Sequence, residues 1–297
     1  MSGFRAGGGP LDSGDLIGLP GRPRVRRRRV PPGEAVRSTA IALASTVVFF
    51  GAVGWIVVNS SGWAEVRRSF FDDTIFREAL PKVVEAFGTN VQLFLVAEVV
   101  ILVLGLAIAL LRSAPGAVLF PARLVATVYA DLFRAVPGLL IVYLLGFGMP
   151  TLAIPGLPSD PFVWAVVALS LVYSAYVSEV YRAGIESIHP SQEAAARSLG
   201  LSRVQALRFV IVPQAVRRVI PPLLNDFIGL QKDTVLVSYI GVVEIFRESQ
   251  ILNAARFNFT PYVAVALVFV VMTIPLARLT DWLVARDRRS QAVGGFR

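Results

Sequence analysis

EAAARSLGLSRVQALRFVIVP, Glu193 to Pro213, is a polar, helix-patterned stretch enclosed by long apolar runs. Ser191 offers an N-cap oxygen after Pro190, and Glu193 falls in the first turn, where the helix dipole favours an anion. Gly200 stops this helix because glycine readily takes the left-handed conformation beyond a C-cap. Ser202 and Gln205 then form an S-x-x-Q capping box, which predicts a second short helix before Pro213 and the Pro221, Pro222 pair. Val204, Leu207 and Ile211 share one face of it, with Arg203 and Arg208 displaced from that face. The pattern is helix, glycine bend, helix: a cytosolic loop of two amphipathic helices suited to docking.

Outward from this stretch, composition sets the class. With 55% hydrophobic and 16% charged residues, the 297-residue chain has too few charges to cover a soluble globule of its size. Several uncharged windows of about 18 or more residues can each cross the hydrocarbon as a helix. They are continuous and do not alternate, which excludes a transmembrane barrel. The expected fold is an all-α, polytopic membrane bundle. The net charge of +9 reports membrane orientation and not nucleic-acid binding, and the absence of cysteine excludes disulfides and thiolate metal sites.

Residues 1–37 are rich in Gly, Pro and Arg and read as a disordered basic cytosolic tail. Its block Arg22 to Arg29 is a topological anchor beside a first span, Ala40 to Val58, within an extra N-terminal transmembrane segment 38–58. Residues 59–88 read as extracytoplasmic, with Trp63, Phe70 and Phe71 suited to an interfacial helix, although Arg67 and Arg68 oppose that side. Further spans are expected at Thr89–Leu111, Ala122–Leu144 with a kink at Pro137, Phe162–Ser178, Ile220–Tyr239 and Phe259–Ala277. That makes six spans, of which the last five form a core, 89–285, that carries the two cytosolic helices, 191–212. A cytosolic tail, 286–297, follows, so both termini lie inside. Arg197, Arg203, Arg208, Arg217 and Arg218 then also fall on the cytosolic side.

Catalytic chemistry is poorly represented. His189 is the only histidine and stands beside Pro190, which excludes an H-E-x-x-H metal site and leaves no catalytic or metal-ligating set. The only lysines, Lys82 and Lys232, end no phosphate-binding loop, so this chain binds no ATP of its own.

Together with FRAVPGLL from Phe133, SAYVSEVYRAGIESI from Ser174 and PPLLNDFIGLQKDTVLVSYIGVVEIF from Pro221, the opening stretch resembles the EAA loop and core of ATP-binding-cassette (ABC) importer permeases. The likeness is to the type I, polar amino acid branch and runs from about Phe87 to Ala285. It implies ATPase-coupling roles for Glu193, Ala194, Ala195, Gly200, Leu201, Ile211 and Pro213. One departure stands out: counted back from Gly200, the family's glutamate position is Ala194, and the acid is one place earlier. The resemblance also implies partners: ABC ATPase subunits holding ATP and Mg, a second permease subunit in a homo- or heterodimer, and an extracytoplasmic solute-binding protein. The setting would be the prokaryotic plasma (inner) membrane. Rival readings are an ion-coupled carrier or channel, served by the intramembrane acids Glu98, Glu179 and Asp226, and a scaffold that moves no solute.

The candidate translocation path comprises Glu179, Asn225, Lys232 and Asp233. Ionised groups are costly in lipid, so Asn225, Asp226, Lys232 and Asp233 are expected to face the bundle. Either they pair structurally near the outer interface, or Glu179, Asn225 and Lys232 border a cavity that passes a zwitterionic amino acid.

Overall fold

The computed structural model describes residues 32–114 and 116–294; the Arg22–Arg29 block lies outside the described residues. Every regular element among the described residues is helical. Helix α1, Pro32–Val58, belongs to a unit of its own, 1–63, and is exposed at every side chain described in it. A helix that is apolar all round, with Phe49, Phe50 and Trp55 uncovered, is one made for lipid.

The second unit, 64–297, holds the remaining elements. After the short α2 (Trp63–Phe70), α3 runs from Asp73 to Ser113. It begins well before the expected Thr89, because Asp72 caps it by accepting the Ile75 N–H and Pro81 is accommodated within it. Charged Arg77, Glu78, Lys82 and Glu85 hide this first half from a hydropathy reading. Next come α4 (Phe120–Ala135), α5 (Gly138–Thr151), α6 (Pro161–Glu186), α7 (Pro190–Ser198), α8 (Arg203–Ala206), α9 (Val212–Asp233), α10 (Ile245–Arg256) and α11 (Thr260–Gly294). The last of these stays helical beyond the expected boundary at 286.

Among the described residues, four helical stretches are long and apolar enough to cross a membrane, and five if the bent pair α4–α5 counts as one. The sequence predicts six. The missing one, Ile220–Tyr239, carries Asp226, Lys232 and Asp233, and it changes from α9 to a 3-10 helix, Thr234–Ile240. The kink expected at Pro137 is a 103° break. Proline disfavours the helical conformation in the residue before it, and Val136 is extended at φ −87°, ψ 131°.

Helix α6 is the centre, packed by α3, α4, α5 and α9. Leu93, Phe94, Ala97 and Ile101 of α3 meet Ala165, Ala168, Leu169 and Val172 of α6, with Leu230 and Val237 closing the core. A second cluster joins Val83 to Ile245, Ala264 and Val265, fixing α10 and α11 against the first half of α3. Small residues let backbones approach where apolar burial gives no drive between helices in lipid. At Gly184 on α6, an added Cβ would overlap Val219 Cγ1 of α9. Gly184→Ala should therefore destabilise the chain by about 1–3 kcal/mol, read as a lowered unfolding temperature in detergent, and Val219→Ala should restore it; an unchanged transition would show that this contact is slack.

Candidate functional site

The polar stretch folds as a bend between α6 and α9. Its first cap is His189 and not the expected Ser191: the His189 ring Nδ1 accepts the Ser191 N–H at 3.2 Å and lies 2.8 Å from Ser191 Oγ. Pro190 lacks an N–H and has a φ suited to the first helical position, which leaves its predecessor extended as the cap. Helix α7 closes in a Schellman arrangement. Gly200, at φ +88°, donates to the Arg197 carbonyl, and Leu201 donates to that of Ala196. The capping box is complete: Ser202 Oγ accepts the Gln205 N–H, and Gln205 Oε1 accepts the Ser202 N–H.

The second helix does not end at Pro213. It continues through a π turn, Leu207–Ile211, into α9, where Pro213 sits in the first turn. Proline supplies no donor to the preceding turn, and the register widens just before it, where the Val212 N–H reaches back to the Leu207 carbonyl; Gln214 Nε2 donates to the Val210 carbonyl one turn earlier.

Across the bend, Glu193 Oε1 lies 3.7 Å from Arg203 Nε. Both line a cavity of about 310 Å³, with Ile188, His189, Leu207 and Ile211 around them. Ala194 and Ala195 are exposed, so the acid at 193 faces the bend and position 194 does not. Ala196 and Ala206 are buried beneath the surface, and Leu201 is half-buried. Of the expected apolar face, Val204 is 74% exposed and Leu207 is exposed too, whereas Ile211 is half-buried; outside that face, Leu199 is 85% and Phe209 62% exposed.

Glu179, on α6, is a hub of charge. Its carboxylate accepts from Arg112 of α3 at 2.9 Å and from Arg182, with Arg134 of α4 at 3.7 Å; Arg182 also pairs with Glu186. One carboxylate thus ties together the ends of three helices.

The remaining polar residues divide. Asp233 accepts a hydrogen bond from Tyr173 Oη at 2.8 Å, whereas Asn225 and Lys232 are exposed. The expectation that this set turns inward is therefore met only in part: Asn225 and Lys232 face outward, whereas Asp226 and Asp233 are half-buried and Gly229 is turned towards Tyr173 of α6. Glu98 of α3 lies within electrostatic reach of Asp226, whose Oδ2 is buried without a hydrogen bond.

Sequence reasoning missed a second polar centre. Asn90 Nδ2 donates to Thr234 Oγ1 and Glu244 Oε2, both at 2.9 Å, and its Oδ1 accepts the Ile245 N–H. Fully buried Glu244 also caps α10, accepting the Phe246 and Arg247 N–H groups. Burial pushes the Glu244 carboxyl up from its ordinary range, against these donors, which lower it. An amide inside an apolar span and an acid before a helix were the available signals.

A family model described as binding-protein-dependent transport system inner membrane component matches residues 116–289, more than half of the chain. The chain belongs to that family. The probable glutamine ABC transporter permease protein GlnM of Bacillus subtilis is 35% identical over 189 residues, covering 63% of this chain and 85% of that one. The glutamine transport system permease protein GlnP of Escherichia coli is 34% identical over 208 residues, 70% of this chain and 93% of that one. A solved amino acid ABC transporter with histidines has a TM-score of 0.66 at 32% identity, over 72% of this chain and 98% of its own. The protein is thus a multi-pass inner-membrane permease, a transport subunit whose ATP-hydrolysing counterpart is a separate chain.

For this permease, Glu179→Gln should lower stability by about 2 kcal/mol, since Arg112 is left nearly enclosed without its counter-charge. The exposed Glu186→Gln should cost no more than about 0.5 kcal/mol. Thermal unfolding of the two variants in detergent compares them, and equal shifts would deny Glu179 its special place.

Proposed function

We propose that this permease subunit imports polar amino acids, driven by ATP hydrolysis on a partner that grips the bend between α7 and α8. The observation that carries the reading is the pairing of an uncovered apolar bend with a polar face on α9, in a chain whose relatives are named for glutamine and amino acid transport. Leu199, Val204 and Phe209 are too exposed for a finished surface and suit a groove on an ATPase subunit. Glu193, Ala194, Ala195, Gly200, Leu201, Ile211 and Pro213 form the coupling element, with Glu193 standing in for the glutamate expected at 194. ATP and Mg are held by that partner.

The exposed Asn225 and Lys232 of α9 are costly if they face lipid, so a second permease subunit and a wet path cover them. An amino acid stripped of water needs partners for both of its charges, and the ammonium of Lys232 and the carboxylate of Asp233 offer them. Glu179, within its ring of arginines, borders this path as a positioning group. An extracytoplasmic binding protein delivers the substrate. The coupling bend is cytosolic, as its three arginines and Arg217 and Arg218 of α9 favour, and both termini lie on the same side.

Gly200→Val should uncouple ATP hydrolysis from uptake while the complex still assembles, because a β-branched residue resists φ +88° by about 1–2 kcal/mol. Reconstituted vesicles with the ATPase and binding protein read both rates, and normal coupled uptake would remove the bend from transmission. In the same vesicles Lys232→Met should abolish uptake with assembly and ATP hydrolysis intact. Unchanged uptake would take Lys232 out of the path, and uptake that continues with the ATPase disabled would favour a self-sufficient carrier.

A further inference from the structure

At the end of the bundle away from the coupling bend, two segments far apart in sequence are clamped together. The Phe259 N–H donates to the Ser69 carbonyl at 2.7 Å, Asn258 Nδ2 to the Arg68 carbonyl at 2.8 Å, and the Asp72 N–H to Thr260 Oγ1 at 3.1 Å. The rings of Phe70 and Phe259 stack at 5.0 Å between centroids. Helix α2 is thereby fixed to the turn between α10 and α11, at the start of two apolar spans.

Acids and arginines at this end are equal in number, Glu65, Asp72, Asp73 and Glu78 against Arg67, Arg68, Arg77 and Arg256, but they are not engaged alike. Asp72 caps α3, Asp73 pairs with Arg77, Glu78 pairs with Arg256, and Glu65 accepts from Ser69. Arg67 and Arg68 are exposed and form no ion pair among the described residues. Beside them, Phe71 is 56% exposed, and a shallow cleft of about 210 Å³ opens between Phe70, Phe76 and Val263.

Phe257 is the most telling residue. It ends α10 in the left-handed region, at φ +51°, and holds its ring 91% exposed. Left-handed backbone is unusual for a bulky residue, and glycine would adopt it freely. In water this ring gains nothing against that cost. In an apolar phase, the gain from burying a phenylalanine exceeds the cost of one left-handed residue.

We infer that α2 and the Phe257–Phe259 turn form a built anchor for acidic phospholipid in the outer leaflet, with Arg67 and Arg68 on lipid phosphates and the aromatic rings among the upper acyl carbons. Interfacial aromatics flanked by guanidiniums are the chemistry such a surface requires. The inference rests on the orientation given under the proposed function, and the test separates the two. A single cysteine at Val66, on the apolar stripe of α2, carries an environment-sensitive fluorophore in a chain with no native cysteine. In vesicles, a membrane-impermeant maleimide should compete with it from outside only; competition from the cytosolic side alone would overturn the orientation.

In phosphatidylcholine nanodiscs, a nitroxide near the lipid glycerol should quench the label strongly and aqueous iodide weakly. The reverse order would overturn the anchor and leave the surface to a soluble partner. Added phosphatidylglycerol should be enriched around the label, by roughly fivefold per guanidinium engaged. Arg67→Gln with Arg68→Gln should erase that preference, and equal quenching with and without the acidic lipid would show that no phosphate is read. Phe257→Gly relieves the backbone and keeps the fold, yet should weaken quenching by the lipid nitroxide; unchanged quenching would exclude the ring from the membrane.

Discussion

The buried amide of Asn90 is the interaction on which the architecture depends. Hydrocarbon offers no partner for a polar group, so one placed inside must be satisfied by protein. Asn90 meets Thr234, Glu244 and the Ile245 N–H, and so binds α3, the 3-10 segment and α10 at a single point. Glu244 spends its remaining acceptor capacity on the first turn of α10. Apolar packing alone would let these helices slide. The network sets their register, and the two hydrophobic clusters lie on either side of it.

Charge does a related task at the other end. Glu179 draws together guanidiniums from α3, α4 and α6 at the end of the bundle that carries the bend between α7 and α8. Its carboxylate was legible as an intramembrane acid, and the sequence placed it in the path. The arginines that surround it lie 67, 45 and 3 residues away, and only the last could be paired with it by helical spacing. Lys232 shows the converse: its exposure on a single chain is readable only from the structure.

Local chemistry was legible where it is self-contained. The glycine bend at Gly200 and the Ser202–Gln205 box each depend on residues within a few positions, and both form. The N-cap was misplaced by two residues because Pro190 transfers capping to the residue before it. The π turn escaped notice because a proline was read as a stop, when a one-residue slip lets the helix continue past it. The span count fell short because Ile220–Tyr239 carries Asp226, Lys232 and Asp233 and passes from α9 into a 3-10 helix. Asn90 and Glu244 were each visible as polar residues, but their meeting across 154 positions was not.

The break between α4 and α5 sets what those two helices need from their surroundings. Arg112 and Glu179 bring the C-terminal ends of α3 and α6 together, so the chain must traverse the full thickness again through α4, α5 and the loop after them. The break lies beside Val172, halfway along α6, since an added Cβ on Gly138 would stand 3.6 Å from Val172 Cγ1. There the last carbonyls of α4 and the first N–H groups of α5 have no partners within their own helices. Non-helical backbone at that depth persists only against protein or water. The elbow is therefore a point at which α4 and α5 depend on groups outside their own helices, set by the geometry of one proline.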